Sequence, residues 1–271
     1  MGILVNSTEW SRIKTDCLKS LLAWRIWFYL GTQDVRNQFR RSRLGIGWLI
    51  INLSLVTVSI GYVYGHLFHA DLKKFFPILV LGLALWGFIS SVITQGCQTF
   101  AASEGYIKQF SFAKQVYIFR FMTSALVNLS VGMGIFCLVA LYTGIPLQLG
   151  TLWFLPGILC LIVISLGHLI IFSYLGARFR DLPHALSGVL QVLFYVTPII
   201  FTADMLKSRG MDFVYQYNPF YYLIEIARYP LINGEAAPLG VYYFALCYGI
   251  LVWLLAVGTL VKCDSRVAYW L

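Results

Sequence analysis

The chain has 271 residues and carries 20 Lys and Arg against 11 Asp and Glu, a net charge of +9. Charged residues make up 11% and hydrophobic residues 59%, whereas a soluble domain carries about 25% charged residues. Residues 121–177 contain no Asp, Glu, Lys or Arg, a run of 57 residues that excludes a soluble domain and has room for two bilayer-spanning helices of roughly 20 residues each.

The basic surplus reads as topology, because Lys and Arg collect on the cytoplasmic side of membrane proteins; nucleic acid is not an expected partner. Taken in chain order, the first unusual segment is residues 20–43. Leu21, Leu22, Trp24, Ile26, Trp27, Phe28 and Leu30 are apolar but interrupted by Arg25, and the basic residues Arg36, Arg40, Arg41 and Arg43 follow. The pattern predicts a helix lying in the membrane interface. Arg36, Arg40 and Arg43, at i, i+4 and i+7, are expected to share one face of it. Two readings stay open here: ordinary positive flanking of the first span, or a collar of planar donors for an anionic headgroup.

Six stretches then reach spanning length: 46–68, 77–100, 116–142, 152–177, 182–203 and 238–261. Helices are expected for all six, since lipid leaves backbone groups no outside partner. The apolar runs are too long, and lack the alternation, for barrel strands. With the N-terminus inside, 15 of the 20 basic residues fall on the cytoplasmic side, so six spans with both ends inside are predicted.

Residues 101–115, between spans two and three, combine Glu104, Tyr106, Ile107, Lys108, Phe110 and Phe112. So many apolar side chains in a short cytoplasmic loop predict a short helix docking on a partner; a loop resting on the membrane surface is the alternative. Thr143-Gly144-Ile145-Pro146 supplies a turn between spans three and four. Residues 204–237, on the outer side, hold Phe213, Tyr215, Tyr217, Phe220, Tyr221 and Tyr222, with a break at Asn218-Pro219. Glu225 and Arg228, at i and i+3, are spaced to pair. A re-entrant pair of half-helices is one reading; an aromatic belt is the other.

No GxxxxGK[ST] phosphate loop occurs, so the chain is not expected to hydrolyse ATP itself. Six cysteines include no CxxC pair, so neither a metal site nor a disulfide framework is suggested. The charge-free spans argue against ion coupling, which uses intramembrane carboxylates. His168 and His184 read as packing or interface residues. An intramembrane protease is disfavoured for want of a nucleophile turn and acid–base carboxylates, and a passive channel for want of charge rings or a filter.

These features resemble the membrane subunit of type-2 ABC exporters, in the branch of O-antigen and capsule permeases to which the teichoic-acid permeases are related. The carrying motif is Arg40-Arg41-Ser42-Arg43-Leu44-Gly45-Ile46-Gly47-Trp48, similar to the family's Arg-x-Ser-x-Leu-Gly-x-x-Trp entry to the first span; Asn52 and Ser54 stand where the family often has a proline. Leu81-Gly82-Leu83-Ala84-Leu85-Trp86, Tyr106-Ile107-Lys108-Gln109, Arg178-Phe179-Arg180-Asp181-Leu182, Tyr195-Val196-Thr197-Pro198 and Tyr217-Asn218-Pro219-Phe220 follow in family order.

The resemblance implies an all-α membrane protein with residues 1–271 as one transmembrane domain. It implies a homodimer working with two ABC ATPase subunits that bind ATP and Mg, so that this chain is a transport subunit and not an enzyme. The implied location is the bacterial cytoplasmic membrane, and the implied cargo a polyprenyl-diphosphate-linked polysaccharide, with another cargo such as teichoic acid, lipid or drug as the alternative. Arg36, Arg40, Arg41 and Arg43 then suit the diphosphate. Tyr62, Tyr64, Trp86, Phe88, Tyr195 and Tyr222 are candidate lining for a sliding glycan. Glu104 to Phe112 is the candidate coupling segment, and Asn218, Pro219, Phe220, Glu225 and Arg228 mark a candidate outer gate.

Overall fold

The protein is described by a computed structural model covering residues 7–67, 69, 71–109, 112–145 and 148–271. Every regular element among these residues is helical. In chain order they are α1 (Ser7–Leu22), α2 (Trp24–Gln38), α3 (Gly47–Leu67), α4 (Leu72–Thr94), α5 (Glu104–Gln109), α6 (Gln115–Thr143) and α7 (Phe154–Arg178). After them come α8 (Leu182–Val196), α9 (Ala203–Lys207), α10 (Phe213–Gln216), α11 (Pro219–Asn233), α12 (Leu239–Cys263) and α13 (Val267–Trp270).

Five of these helices, α3, α4, α6, α7 and α12, are long and apolar enough to cross a bilayer. They coincide with five of the six expected stretches. The boundary of α4 differs: it starts at Leu72, five residues ahead of expectation, because the Asp71 carboxylate caps it by accepting the Lys73 N–H at 3.0 Å. Gly144, in the left-handed region at φ 74°, ends α6 where the turn was expected; Pro146 lies outside the described residues, as does Phe68.

The stretch 182–203 is not one helix. α8 stops after 15 residues at Val196. Pro198 has no N–H to continue the ladder, and it pushes Thr197 to ψ 135°, out of the helical region.

α4 is the hub of the bundle. Leu79, Leu81 and Leu85 are fully buried, and α3, α6, α7, α8 and α11 all pack on it. Between apolar helices in lipid, close fit rather than water exclusion supplies the attraction, so small residues mark the contacts. A Cβ on Gly157 of α7 would stand 2.1 Å from the Ile226 carbonyl oxygen of α11. Gly157→Val should therefore push α7 and α11 apart and cost about 1–3 kcal/mol, read as a lower melting temperature in detergent. Gly134→Ala, where a Cβ meets nothing within 4 Å, should leave it unchanged or slightly raised.

The bundle has two distinct ends. At one end α1, α2, α5 and α13 meet the start of α6 and the ends of α7 and α12. This is the basic end. At the other, the turn at residues 149–153 lies against α11. α11 runs back along α4: Phe220, in its first turn, packs against Trp86, and Arg228, two turns on, lies beside Gly82. Trp86 lies 14 residues into α4, about 21 Å from its start at 1.5 Å per residue, so α11 begins deep in the bundle.

Candidate functional site

At the basic end, residues 20–43 form two helices and a turn rather than one helix. α2 ends at Gln38, so Arg40, Arg41 and Arg43 do not continue the face of Arg36, contrary to the expectation from spacing. The cause is local. The Ser42 hydroxyl accepts the Leu44 N–H at 3.3 Å and the Trp48 indole N–H at 2.9 Å, and Gly45 adopts φ 55°. Those bonds offer the backbone an alternative to helix, and Gly45 takes the left-handed angle without strain. All four arginines are nevertheless exposed and gathered at the α2–α3 corner.

α2 is bolted to α6. Asp34 accepts two bonds from Arg120, from Nε and Nη2, both at 2.6 Å, the fork geometry that makes guanidinium–carboxylate pairs strong. Next to it the backbones nearly touch: a Cβ on Gly31 would stand 2.5 Å from the Arg120 carbonyl oxygen, and Ser124 donates to the Gly31 carbonyl at 2.8 Å. The same Arg120 guanidinium sits over the Tyr106 ring, 5.1 Å from its centroid. Tyr106 belongs to α5, so three elements converge on one arginine.

α5 is the short helix expected between spans two and three. Glu104 in its first turn pairs with Lys108 one turn on, and that hydrogen bond holds the Glu104 carboxyl below the ordinary carboxylate range. Ile107 packs inward against the core, while Tyr106 on α5 and Phe112 just after it are exposed. Phe110, expected to join them, lies outside the described residues.

A second junction at this end escaped the sequence reading. Asp264, directly after α12 and 3% exposed, accepts the Tyr174 hydroxyl at 2.6 Å and the Gln115 amide at 3.4 Å. Arg12 of α1 lies 3.4 Å and Lys114 3.8 Å from its other oxygen. One carboxylate thus ties α1, α6, α7 and α12. The signal was available: Asp264 is the one acid after residue 238, and Asp34 the one acid between 20 and 43.

The six candidate lining residues separate by burial. Tyr62 on α3 and Tyr195 on α8 are more than 60% exposed, on helices flanking α4. Phe88, at 3%, and Trp86, at 7%, face the interior of the bundle, so in this conformation they face no lumen. Alternation of apolar residues along α4 gave no warning, because that helix is buried nearly all round. Tyr64 is half-buried, and Tyr222 stacks on Phe244 at 3.9 Å between ring centroids, next to Tyr221 and Tyr215 in a row of rings.

In the 204–237 region, Asn218 is buried and holds two elements together. Its carbonyl accepts the Phe220 N–H, starting α11 at Pro219, and its amide donates to the Thr197 hydroxyl at 2.8 Å, where α8 ends. Glu225 and Arg228 do pair, both side chains buried.

A bundle of five spanning-length apolar helices with exposed apolar flanks defines a multi-pass membrane protein. Residues 25–232 match the ABC-2 type transporter family, and the chain belongs to it. It is 24% identical over 239 residues to "O-antigen export system permease protein RfbA" of Klebsiella pneumoniae, covering 87% of this chain and 91% of that protein. It is 22% identical over 213 residues to "Polysialic acid transport protein KpsM" of Escherichia coli, covering 74% and 79% respectively. Polysaccharide-export permeases of the ABC-2 type are thus its relatives.

Proposed function

We propose that this chain is the transmembrane subunit of an ATP-driven exporter that carries a polyprenyl-diphosphate-linked polysaccharide across the bacterial cytoplasmic membrane. The observation that carries the reading is the family match over residues 25–232, joined to two polysaccharide-export relatives aligned over most of the chain. The basic end faces the cytoplasm, as the positive bias requires. α8 is about 22 Å long at 1.5 Å per residue, short of the roughly 30 Å hydrocarbon core. Residues 197–203 complete this sixth crossing, and α9 to α11 form the re-entrant outer region.

Two copies pair with two ATPase subunits, which bind ATP and Mg. The exposed faces of α3 and α8, with Tyr62 and Tyr195, offer the glycan repeated weak contacts. The arginine corner at Arg36, Arg40, Arg41 and Arg43 takes the diphosphate at the entrance. α5 and the residues just after it, with Tyr106 and Phe112 exposed and Ile107 anchoring the helix to the core, seat in the ATPase. Movement there reaches α2 through Arg120 and Asp34, so closing of the ATPases shifts the helix that leads into the arginine corner.

The test is complementation. A host lacking the gene should accumulate lipid-linked glycan inside and lose it from its surface, and the wild-type chain should restore both. Arg36, Arg40 and Arg43 replaced together by Ala should assemble with the ATPase yet leave surface glycan at a tenth of normal or less. Normal surface glycan in the null host would rule out this cargo. Normal glycan with the triple variant would remove the arginines from headgroup binding.

A further inference from the structure

The Glu225–Arg228 pair is expensive where it stands. Buried ion pairs repay their desolvation only with good geometry and further bonds, and charges among membrane helices mark functional sites by default. Arg228 is 4% exposed; one guanidinium nitrogen, Nη2, meets Glu225, while Nη1, lying towards Gly82, has no hydrogen-bond partner among the described residues. Beside the pair is a cavity of about 180 Å³. At about 30 Å³ per water that is room for roughly six waters, or one small ring molecule.

The walls say what kind of molecule fits. Asp204, Glu225 and Arg228 bring two carboxylates and one guanidinium to the cavity. The net negative balance disfavours phosphate or any other anion. A metal ion is disfavoured as well, because no group of three His, Cys, Asp or Glu that would hold one occurs among the described residues. Tyr221 and Tyr229 line it with aromatic side chains, and Ile78 and Ile232 with apolar ones. Acceptors, donors and aromatic side chains around a space of one ring's size match a neutral polyol whose hydroxyls give and take hydrogen bonds and whose C–H faces rest on aromatics.

We infer that the cavity between Asp204, Tyr221, Glu225, Arg228 and Tyr229 is a pyranose-binding site within each subunit, at the end of the bundle opposite α5. It rests on the exporter reading for its physiological ligand, an emerging sugar unit of the glycan. Its place beside the row of rings Tyr215, Tyr221 and Tyr222 puts it next to further stacking surfaces. Carboxylates accept from hydroxyls without requiring charge on the sugar, so the site takes neutral hexoses. It holds one residue weakly, and the chain moves on.

The experiment uses the full chain in nanodiscs, with methyl glycosides of glucose, galactose and mannose, and N-acetylglucosamine, as probes in saturation-transfer NMR. At least one probe should show saturable binding in the millimolar range. Asp204→Ala, which changes an exposed side chain, and Tyr229→Ala should each weaken it at least tenfold, while Tyr269→Ala, an exposed ring at the opposite end of the bundle, should not. Inorganic phosphate at the same concentration should not compete. Absence of saturable binding by all four probes, binding indifferent to both cavity variants, or competition by phosphate would each overturn the inference. Complementation by the wild-type chain separates the two readings: restored surface glycan without sugar binding removes only this cavity, and sugar binding with another cargo removes only the exporter assignment.

Discussion

Arg120→Ala should abolish glycan export while leaving the protein in the membrane. The guanidinium touches α5, α6 and α2 together: it lies over Tyr106, stands on α6, and makes two 2.6 Å bonds to Asp34. A hydrogen bond to a charged group is worth about 1.5–3 kcal/mol, and the Asp34 side chain is 35% exposed, so solvent trims the total. That loss loosens α2 without unfolding the bundle, whose core lies on α4. The expected result is surface glycan reduced at least tenfold, with expression and ATPase co-purification close to wild type. Arg120→Lys should recover part of the export, since a lysine keeps the charge but gives up the two-pronged geometry. The exchange of Asp34→Arg with Arg120→Asp should recover more than either change alone. Wild-type export by Arg120→Ala would show that α2 is not driven through this pair.

What the sequence disclosed follows the physics of each signal. Apolar runs bounded by charges gave α3, α6, α7 and α12 nearly to the residue, because in lipid a long apolar run has one structural solution. The short helix α5 was legible because Tyr106 and Ile107 have no reason to occur together in a solvated loop. The failures came where a local bond outweighs periodicity. Ser42 and Gly45 bend the chain between α2 and α3, so the helical spacing of Arg36, Arg40 and Arg43 carries no common face. Pro198 cuts the fifth apolar stretch at Val196. Trp86 and Phe88 were candidate glycan lining, yet both are buried inside the bundle, because a helix packed all round has no polar stripe to betray which side is inside. The junctions at Arg120 and Asp264 join residues 86 and 90 or more positions apart, and no spacing rule reaches across such distances.

Asp264→Ala should produce the largest loss of stability of any single change at the basic end. The carboxylate is 3% exposed and takes bonds or charges from Tyr174, Gln115, Arg12 and Lys114. Removing one partner of a buried, hydrogen-bonded charge network costs about 3–5 kcal/mol, because the groups left behind keep their desolvation penalty. For a chain of this size each kcal/mol moves the melting temperature by about 2–4 °C, so a fall on the order of 10 °C is expected in detergent. Arg12→Ala should cost no more than about 1 kcal/mol, since its side chain is 55% exposed. The discriminating measurement is the cycle with Tyr174→Phe. Tyr174 is fully buried, and its hydroxyl bonds only to Asp264 among the described residues. In the wild-type background Tyr174→Phe removes one bond to a charged acceptor and should cost about 1.5–3 kcal/mol. In the Asp264→Ala background the same change removes an orphaned hydroxyl, and it should be neutral or stabilising. The two costs must therefore fail to add, with the coupling favouring the pair. Additive losses would mean that the carboxylate and the phenol act separately, and Asp264 would then not be the bond that fixes α7 to α12.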